Sequence, residues 1–165
     1  MKKWISALLM VSMLALLLAS CGLSVPAPSI TEGEFPFTVT YEYNGETKTV
    51  SDVYVCEYDG TSWALDGGAH RSWVGYFKNG LEDDLITIGT TASGENIDLI
   101  LHMYPEYFMG ESIDGLWDPP APYISVTVRT DEGIHFEQDP EVVEATYGAR
   151  IVSYHYSLPV ANTFG

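Results

Sequence analysis

The stretch FTVTYEYNGETKTVSDVYVCEY, residues 37–58, decides the fold class, because apolar and polar residues alternate through it with a period of two. That period is typical of a strand that is buried on one face. The residues on the apolar face of its first arm are Phe37, Val39, Tyr41 and Tyr43. Asn44-Gly45 follows, and Asn-Gly is the strongest short signal for a two-residue hairpin turn, since both central residues need a positive φ. The stretch therefore predicts an antiparallel hairpin, with a bulge near Ser51-Asp52 in its second arm.

Outward from this hairpin, further segments have the composition and spacing of short strands. They are 72–77, 85–88, 96–104, 123–130, 133–138 and 149–158. A second pair, Asn79-Gly80, repeats the hairpin signal after the first of them. A short helical turn is predicted after Pro140, with Gly148 as its stop, although Val142-Val143 also permits a strand. About eight short strands separated by turns predict an all-β fold, an antiparallel β-sandwich with at most one short helix.

The chain opens with a segment of a different kind. Lys2 and Lys3 precede an apolar run of 16 residues, 4–19, which is interrupted only by two serines. A membrane-spanning helix needs about 20 apolar residues. A charged start, a shorter apolar run and small residues at its end are instead the layout of a removable secretory signal.

The end of that run carries a more specific pattern. Leu18-Ala19-Ser20-Cys21 is an aliphatic residue, two small residues and a cysteine, and it resembles the lipobox of bacterial lipoproteins. The resemblance covers about the first 22 residues, and it implies that the Cys21 thiol receives a diacylglyceryl group and that the leader is cut before it. Two acyl chains hold a protein at a membrane, whereas one gives only reversible binding. We therefore expect an extracytoplasmic protein anchored through Cys21 to the bacterial cell membrane, on the cell surface or facing the periplasm.

Three parts of the chain follow from these patterns. Residues 1–20 form the signal peptide, residues 21–34 a lipid-anchored linker, and residues 35–165 a single β-sandwich domain. The linker contains two prolines and has no apolar periodicity. In extended polyproline-like geometry its 14 residues would reach about 43 Å from the membrane.

The charge balance excludes one class of partner and leaves others open. The full chain has a net charge of −16, and removal of Lys2 and Lys3 with the leader leaves five basic against 23 acidic residues, or −18. Because nucleic-acid affinity comes mainly from cationic contacts to phosphates, we exclude nucleic acid as a partner. The acidity serves solubility, or it serves a cation or a basic partner.

Calcium is the cation that the acidic loops would suit. Its ligands are loop carbonyl and carboxylate oxygens. The segment 82–84 places three acidic residues in a row, and Asp114 and Asp118 flank Gly115 in a second loop. Neither stretch matches a calcium-loop motif, so we predict no cofactor and interpret these acidic residues as solvated turn residues, with a calcium site as the alternative.

Aromatic residues are the candidates for ligand contacts. The chain holds 21 of them, and Trp117 lies between Gly115 and Pro119, in a loop where its ring can be exposed. We assign Trp117, with Trp63 and Trp73, as ligand-contacting residues that stack on sugars, while Asp114 and Asp118 bind hydroxyl groups. The alternative is that these rings fill the core.

The sequence carries no complete catalytic motif. Cys56 has acidic neighbours, opposite to the electropositive setting of a reactive thiol, and is better interpreted as a small buried hydrophobe. GESIDG, residues 110–115, has Asp114 where a nucleophile elbow requires glycine. The four histidines, none of them paired at metal-ligand spacing, are His70, His102, His135 and His155.

These features favour a non-enzymatic module that binds a carbohydrate or protein ligand outside the cell. A structural partner in an envelope complex is the first alternative. A hydrolase acting on glycan or peptide is the second.

Overall fold

Two antiparallel sheets make up the fold. The computed structural model describes residues 25–63, 68–111 and 121–165. The elements in this part of the chain, in order, are β1 (Glu32–Tyr43), β2 (Glu46–Trp63), β3 (Ala69–Phe77), β4 (Leu85–Thr90), β5 (Asn96–Ile100), α1 (Pro105–Phe108), β6 (Tyr123–Thr130), β7 (Gly133–Glu137), α2 (Pro140–Tyr147) and β8 (Ala149–Tyr156). The first sheet has the strand order β3-β2-β1-β8 and the second β4-β5-β6-β7. The predicted all-β sandwich is confirmed.

The predicted first hairpin joins β1 to β2. Tyr43 pairs with Glu46 across the turn, and Asn44 and Gly45 have φ values of 51° and 79°. Both central residues thus take the left-handed conformation for which Asn-Gly is suited.

Alternate residues from the two sheets meet in one core. The fully or nearly fully buried residues of the first sheet include Phe35, Phe37, Val39, Tyr54 and Cys56, and those of the second include Ile97, Leu99, Ile124 and Val126. Phe108 of α1 packs among them, with its ring centroid 4.9 Å from that of Phe35 and 5.7 Å from that of Tyr54. Burial raises the pKa of the Cys56 thiol to about 12. Cys56 is therefore a core residue, in agreement with its interpretation from sequence.

The second Asn-Gly pair does not form a hairpin. Asn79-Gly80 lies in the connection between β3 and β4, which belong to different sheets. The carboxylate of Asp52 fixes this crossing, since Oδ1 accepts from the backbone N–H of Asn79 at 2.8 Å and Oδ2 from that of Leu81 at 3.2 Å. A positive-φ glycine suits many turns, and long-range pairing decides which strands the turn joins.

The described residues form two short helices where at most one was expected. The predicted turn after Pro140 is α2, capped by the Asp139 side chain and ended by Gly148, which has a φ of 63°. The extra helix, α1, follows a strand that was predicted over 96–104 and that is shorter than expected. β5 ends at Ile100 because His102 takes a φ of 52°, and Pro105 then begins a helical turn.

The end of the linker and the course of β2 also differ from expectation. The predicted linker over 21–34 ends earlier, because Pro28 pairs with Phe164 and β1 already begins at Glu32. The predicted bulge near Ser51-Asp52 is absent from the β1–β2 pairing, which is regular from Glu32 to Tyr43.

Candidate functional site

Four of the predicted site residues lie outside the described part of the chain. They are Cys21, Asp114, Trp117 and Asp118. The lipid attachment and the Trp117 loop therefore stay predictions.

The structure separates the two remaining tryptophans. Trp63 ends β2 and is 59% exposed, whereas Trp73 on β3 is only 7% exposed. Trp73 packs against the Tyr58 ring at 5.3 Å, and its indole N–H donates to Glu111 Oε2 at 2.6 Å. Trp73 is thus a core residue, and its assignment as a stacking ring is corrected.

A small cavity of about 320 Å³ lies after β3. It is lined by Glu82, Asp83 and Asp84, together with Tyr76 and Met103. Burial raises the pKa of Asp84, and Asp83 beside it raises that pKa further. A hydrogen bond from Asp84 lowers the pKa of Asp83. Across residues 25–63, 68–111 and 121–165, no three His, Cys, Asp or Glu side chains converge as metal ligands would.

The four histidines are dispersed. His70 shares a 2.8 Å hydrogen bond with Ser62, and the His102 ring stacks edge-on against Tyr123, with centroids 4.7 Å apart. His135 and His155 lie on β7 and β8, in different sheets. His135 and His155 are therefore not on neighbouring strands.

A groove of about 610 Å³ lies between β8, α2 and the start of β6. Its size is that of small-ligand sites. Buried apolar side chains form its floor, namely Ile124, Val143 and Ala149. Val152 and Tyr154 line its β8 side and are 50% and 49% exposed.

The position of β8 explains why Tyr154 is exposed. Tyr154 pairs with Val39, whose side chain is fully buried. Residues directly opposite on antiparallel strands point to the same face, so Tyr154 projects from the core side of the first sheet. β8 is the last strand of that sheet, and there the second sheet leaves half of the Tyr154 side chain uncovered.

The rim of the groove is acidic. Glu141 and Glu144 line it from α2, and Arg150 lines it from β8. Arg150 is shared, because it donates to Glu42 at 2.8 Å and lies 3.3 Å from Glu144. In the part of the chain that the structure describes, Glu141 has no ion pair.

The opposite edge of the first sheet, β3, is closed by side chains. Arg71 Nη1 contacts Glu111 Oε1 at 2.8 Å, and the two side chains are 11% and 20% exposed. Arg71 Nε also donates to the Pro26 carbonyl at 2.9 Å, and its guanidinium lies 4.1 Å from the centroid of the Phe164 ring. We call Arg71, Trp73, Glu111 and Phe164 the latch. The latch binds both ends of the described chain to β3.

Comparisons with protein-family models, curated proteins and solved structures give no match to this chain. Within the described ranges, none of the helices combines the length and apolar character needed to cross a membrane.

The groove escapes prediction from the sequence. Residues 149–158 indicate a strand, but a strand at a sheet edge and one in its middle have the same period. One local signal was available, because apolar Ile151 and Val152 are adjacent where strict alternation would separate them. That doubling marks the bulge in β8, where the register skips Val152 between Ser153 and Ile151.

Proposed function

We propose that this chain is a lipid-anchored extracytoplasmic binding module, whose ligand binds in the groove between β8, α2 and β6. The observation that carries this proposal is the groove itself: an apolar floor, two half-exposed side chains and a polar rim beside a strand edge. Ligand sites are concave, mostly apolar and edged by a few polar groups. The predicted lipid on Cys21 supplies the anchor.

The latch and the groove lie at opposite edges of one sheet. The described chain begins at Val25, and Pro26 is bound to Arg71 on β3. β8 is three strands away across the sheet, or about 14 Å at the usual strand spacing. An anchor that leaves beside β3 therefore leaves the β8 edge open to a ligand.

The anchor is also short. Since Pro28 already pairs with Phe164, the chain from Cys21 to Pro28 spans at most about 25 Å. This replaces the 43 Å expected for a free linker to residue 34. We infer a domain held close to the membrane.

Substitution of the cysteine tests the anchor. We expect the full chain expressed in a bacterium to incorporate labelled palmitate and to sediment with membranes, and Cys21→Ser to lose the label. Equal labelling of both chains would contradict the anchor without bearing on the groove.

Thermal melting with defined probes tests the groove. The full chain in mild detergent is melted with chito-oligosaccharides and, separately, with a pool of octapeptides. A ligand that binds only the folded state raises the Tm. We expect one probe class to raise the Tm of the native chain and not that of Tyr154→Ser. Phe136→Ser is the matched control, because Phe136 is also an exposed edge aromatic, on β7. Failure of both probes, or an equal rise in Tyr154→Ser, would contradict the proposal.

A further inference from the structure

The groove is specific enough in shape and charge to indicate a class of ligand. We infer that it binds a short extended peptide segment carrying lysine or arginine, which pairs as an additional strand with the free edge of β8. This inference rests on the proposed function and specifies the ligand of the same groove.

The backbone of β8 provides the first argument. β8 spans Ala149–Tyr156, and all of its residues except Val152 pair with β1 on one side, whereas no described strand pairs with the other side. In an antiparallel ladder, alternate residues of an edge strand direct their N–H and C=O groups outward. Such a row is a template for an added peptide strand, whose main-chain hydrogen bonds give affinity.

The sequence of this edge does little to prevent pairing. Natural edges are protected by lysine, proline, bulges or covering segments. β8 contains neither lysine nor proline; its protection is limited to the bulge at Val152 and to α2, which packs beside it. That bulge leaves Ser153–Tyr156 as the regular part of the edge, about 13 Å long. A short segment fits this length, whereas the full edge of a second copy would meet the kink.

Charge gives the second argument. The single cation at the rim, Arg150, is already shared between Glu42 and Glu144, and Glu141 has no ion pair within the described ranges. The whole chain has a net charge of −16. A second copy would therefore be repelled, while a cationic segment would be attracted.

The side chains of the groove agree with an extended ligand. Alternate residues of an added strand would point to the same side, toward the floor formed by Ile124 and Val143 and the walls at Val152 and Tyr154. Apolar residues at alternate positions would cover this surface. A lysine or arginine next to them would reach Glu141 at the rim.

The probe is a fluorescein-labelled pool of octapeptides. Each carries lysine at both ends and, between them, Val, Ile, Leu or Tyr alternating with Thr. One comparison pool has glutamate in place of lysine. A second keeps every side chain but has alternate backbone nitrogens methylated, in both registers, so that strand pairing is blocked. Binding to the full chain in mild detergent is followed by fluorescence anisotropy at low salt.

We expect the lysine pool to bind and N-methylation to weaken binding by more than about tenfold, because several hydrogen bonds are lost together. Glu141→Gln, which keeps the size of the side chain, should weaken binding by about two- to fivefold, the value of one exposed ion pair. Raising the salt should remove that difference. The control Phe136→Ser should bind the pool as the native chain does.

Each of the other possible results would contradict one part of the inference. Equal binding of the glutamate pool would overturn the charge argument, and equal binding of the methylated pool would overturn strand pairing. Binding of chito-oligosaccharides that Tyr154→Ser abolishes, with no peptide bound, would overturn the peptide ligand and leave the binding groove standing. If neither probe binds, the peptide ligand and the proposed function both fail.

Discussion

The two edges of the first sheet differ in how completely their side chains and backbone are covered. At β3, the latch joins a charged pair, an indole N–H and an aromatic ring around Arg71, and it ties down both ends of the described chain. At β8, two apolar side chains are half exposed and the outer backbone row has no described strand beside it. Partly buried polar contacts serve stability at the first edge. Apolar surface left open at the second is available to a ligand.

This contrast predicts which substitutions affect stability and which affect binding. Changes at the closed edge should lower the free energy of unfolding, because they leave partly buried groups unpaired. Changes at the open edge should leave that free energy nearly unaltered and change only binding.

Arg71→Ala should have the largest effect. It removes the pair with Glu111, the bond to Pro26 and the contact with the Phe164 ring, so we expect a loss of about 2–4 kcal/mol in urea unfolding of the full chain. Lys78→Ala is the matched control, since the Lys78–Glu34 pair is 48% and 57% exposed. Its loss should stay below about 1 kcal/mol. An equal loss of unfolding free energy in both variants would show that the latch stabilises the fold no more than a surface ion pair does.

Trp73→Phe should follow. It keeps an aromatic ring beside Tyr58 but removes the N–H that donates to Glu111 at 2.6 Å. Because a hydrogen bond to a charged group is worth about 1.5–3 kcal/mol, we expect a loss in that range by the same unfolding measurement. Trp63→Phe, at an exposed position, serves as the control and should change little. An unchanged free energy of unfolding in Trp73→Phe would show that the indole N–H does not stabilise the latch.

Asp52→Asn should cost about 1–2 kcal/mol at neutral pH, with a defined pH dependence. Burial alone would raise the Asp52 pKa, but hydrogen bonds from the N–H groups of Val53, Leu81 and Asn79 outweigh it and lower the pKa below the ordinary 3.8. A lowered folded-state pKa stabilises the fold above the unfolded value, and that stability is lost as pH falls through the folded value.

Urea unfolding between pH 2 and 7 measures this effect. The difference in free energy between the native chain and Asp52→Asn should be constant above about pH 5 and should shrink below pH 4. A difference that stays constant down to pH 2 would show that the Asp52 charge does not hold the crossing between the sheets.

Tyr154→Ser should have the smallest effect on stability, below about 1 kcal/mol, because Tyr154 is already 49% exposed. Its effect on binding to the groove should be large. Urea unfolding and peptide anisotropy on the same preparation separate the two. A loss of several kcal/mol would mean that Tyr154 supports the core and that the β8 edge resembles the β3 edge.

The sequence predicts the local part of this structure well. The period of two over residues 37–58 and the Asn44-Gly45 turn specify the first hairpin, because both signals act between residues near in the chain. Asn79-Gly80 carries the same turn signal yet joins two sheets, since Asp52, far away in sequence, fixes the crossing. Strand order follows from such distant contacts and is not visible in a local pattern.

The candidate site was predicted less well, for the same reason. Trp73 is of a residue type that stacks on sugars, but its indole N–H donates to Glu111 and its ring is buried in the latch. The groove exists because β8 is an edge strand and α2 packs beside it. Alternation within residues 149–158 does not carry that information.

Hydrogen exchange at β8 shows whether a bound peptide pairs with this edge. Amide exchange of the full chain is measured by mass spectrometry with and without the lysine-flanked octapeptide pool. We predict that the peptides slow exchange at alternate amides within Ser153–Tyr156, because those N–H groups gain carbonyl partners, and that β7 exchanges as before. Unchanged exchange at β8 while the peptides are bound would show that they bind elsewhere, and would contradict strand pairing at this edge.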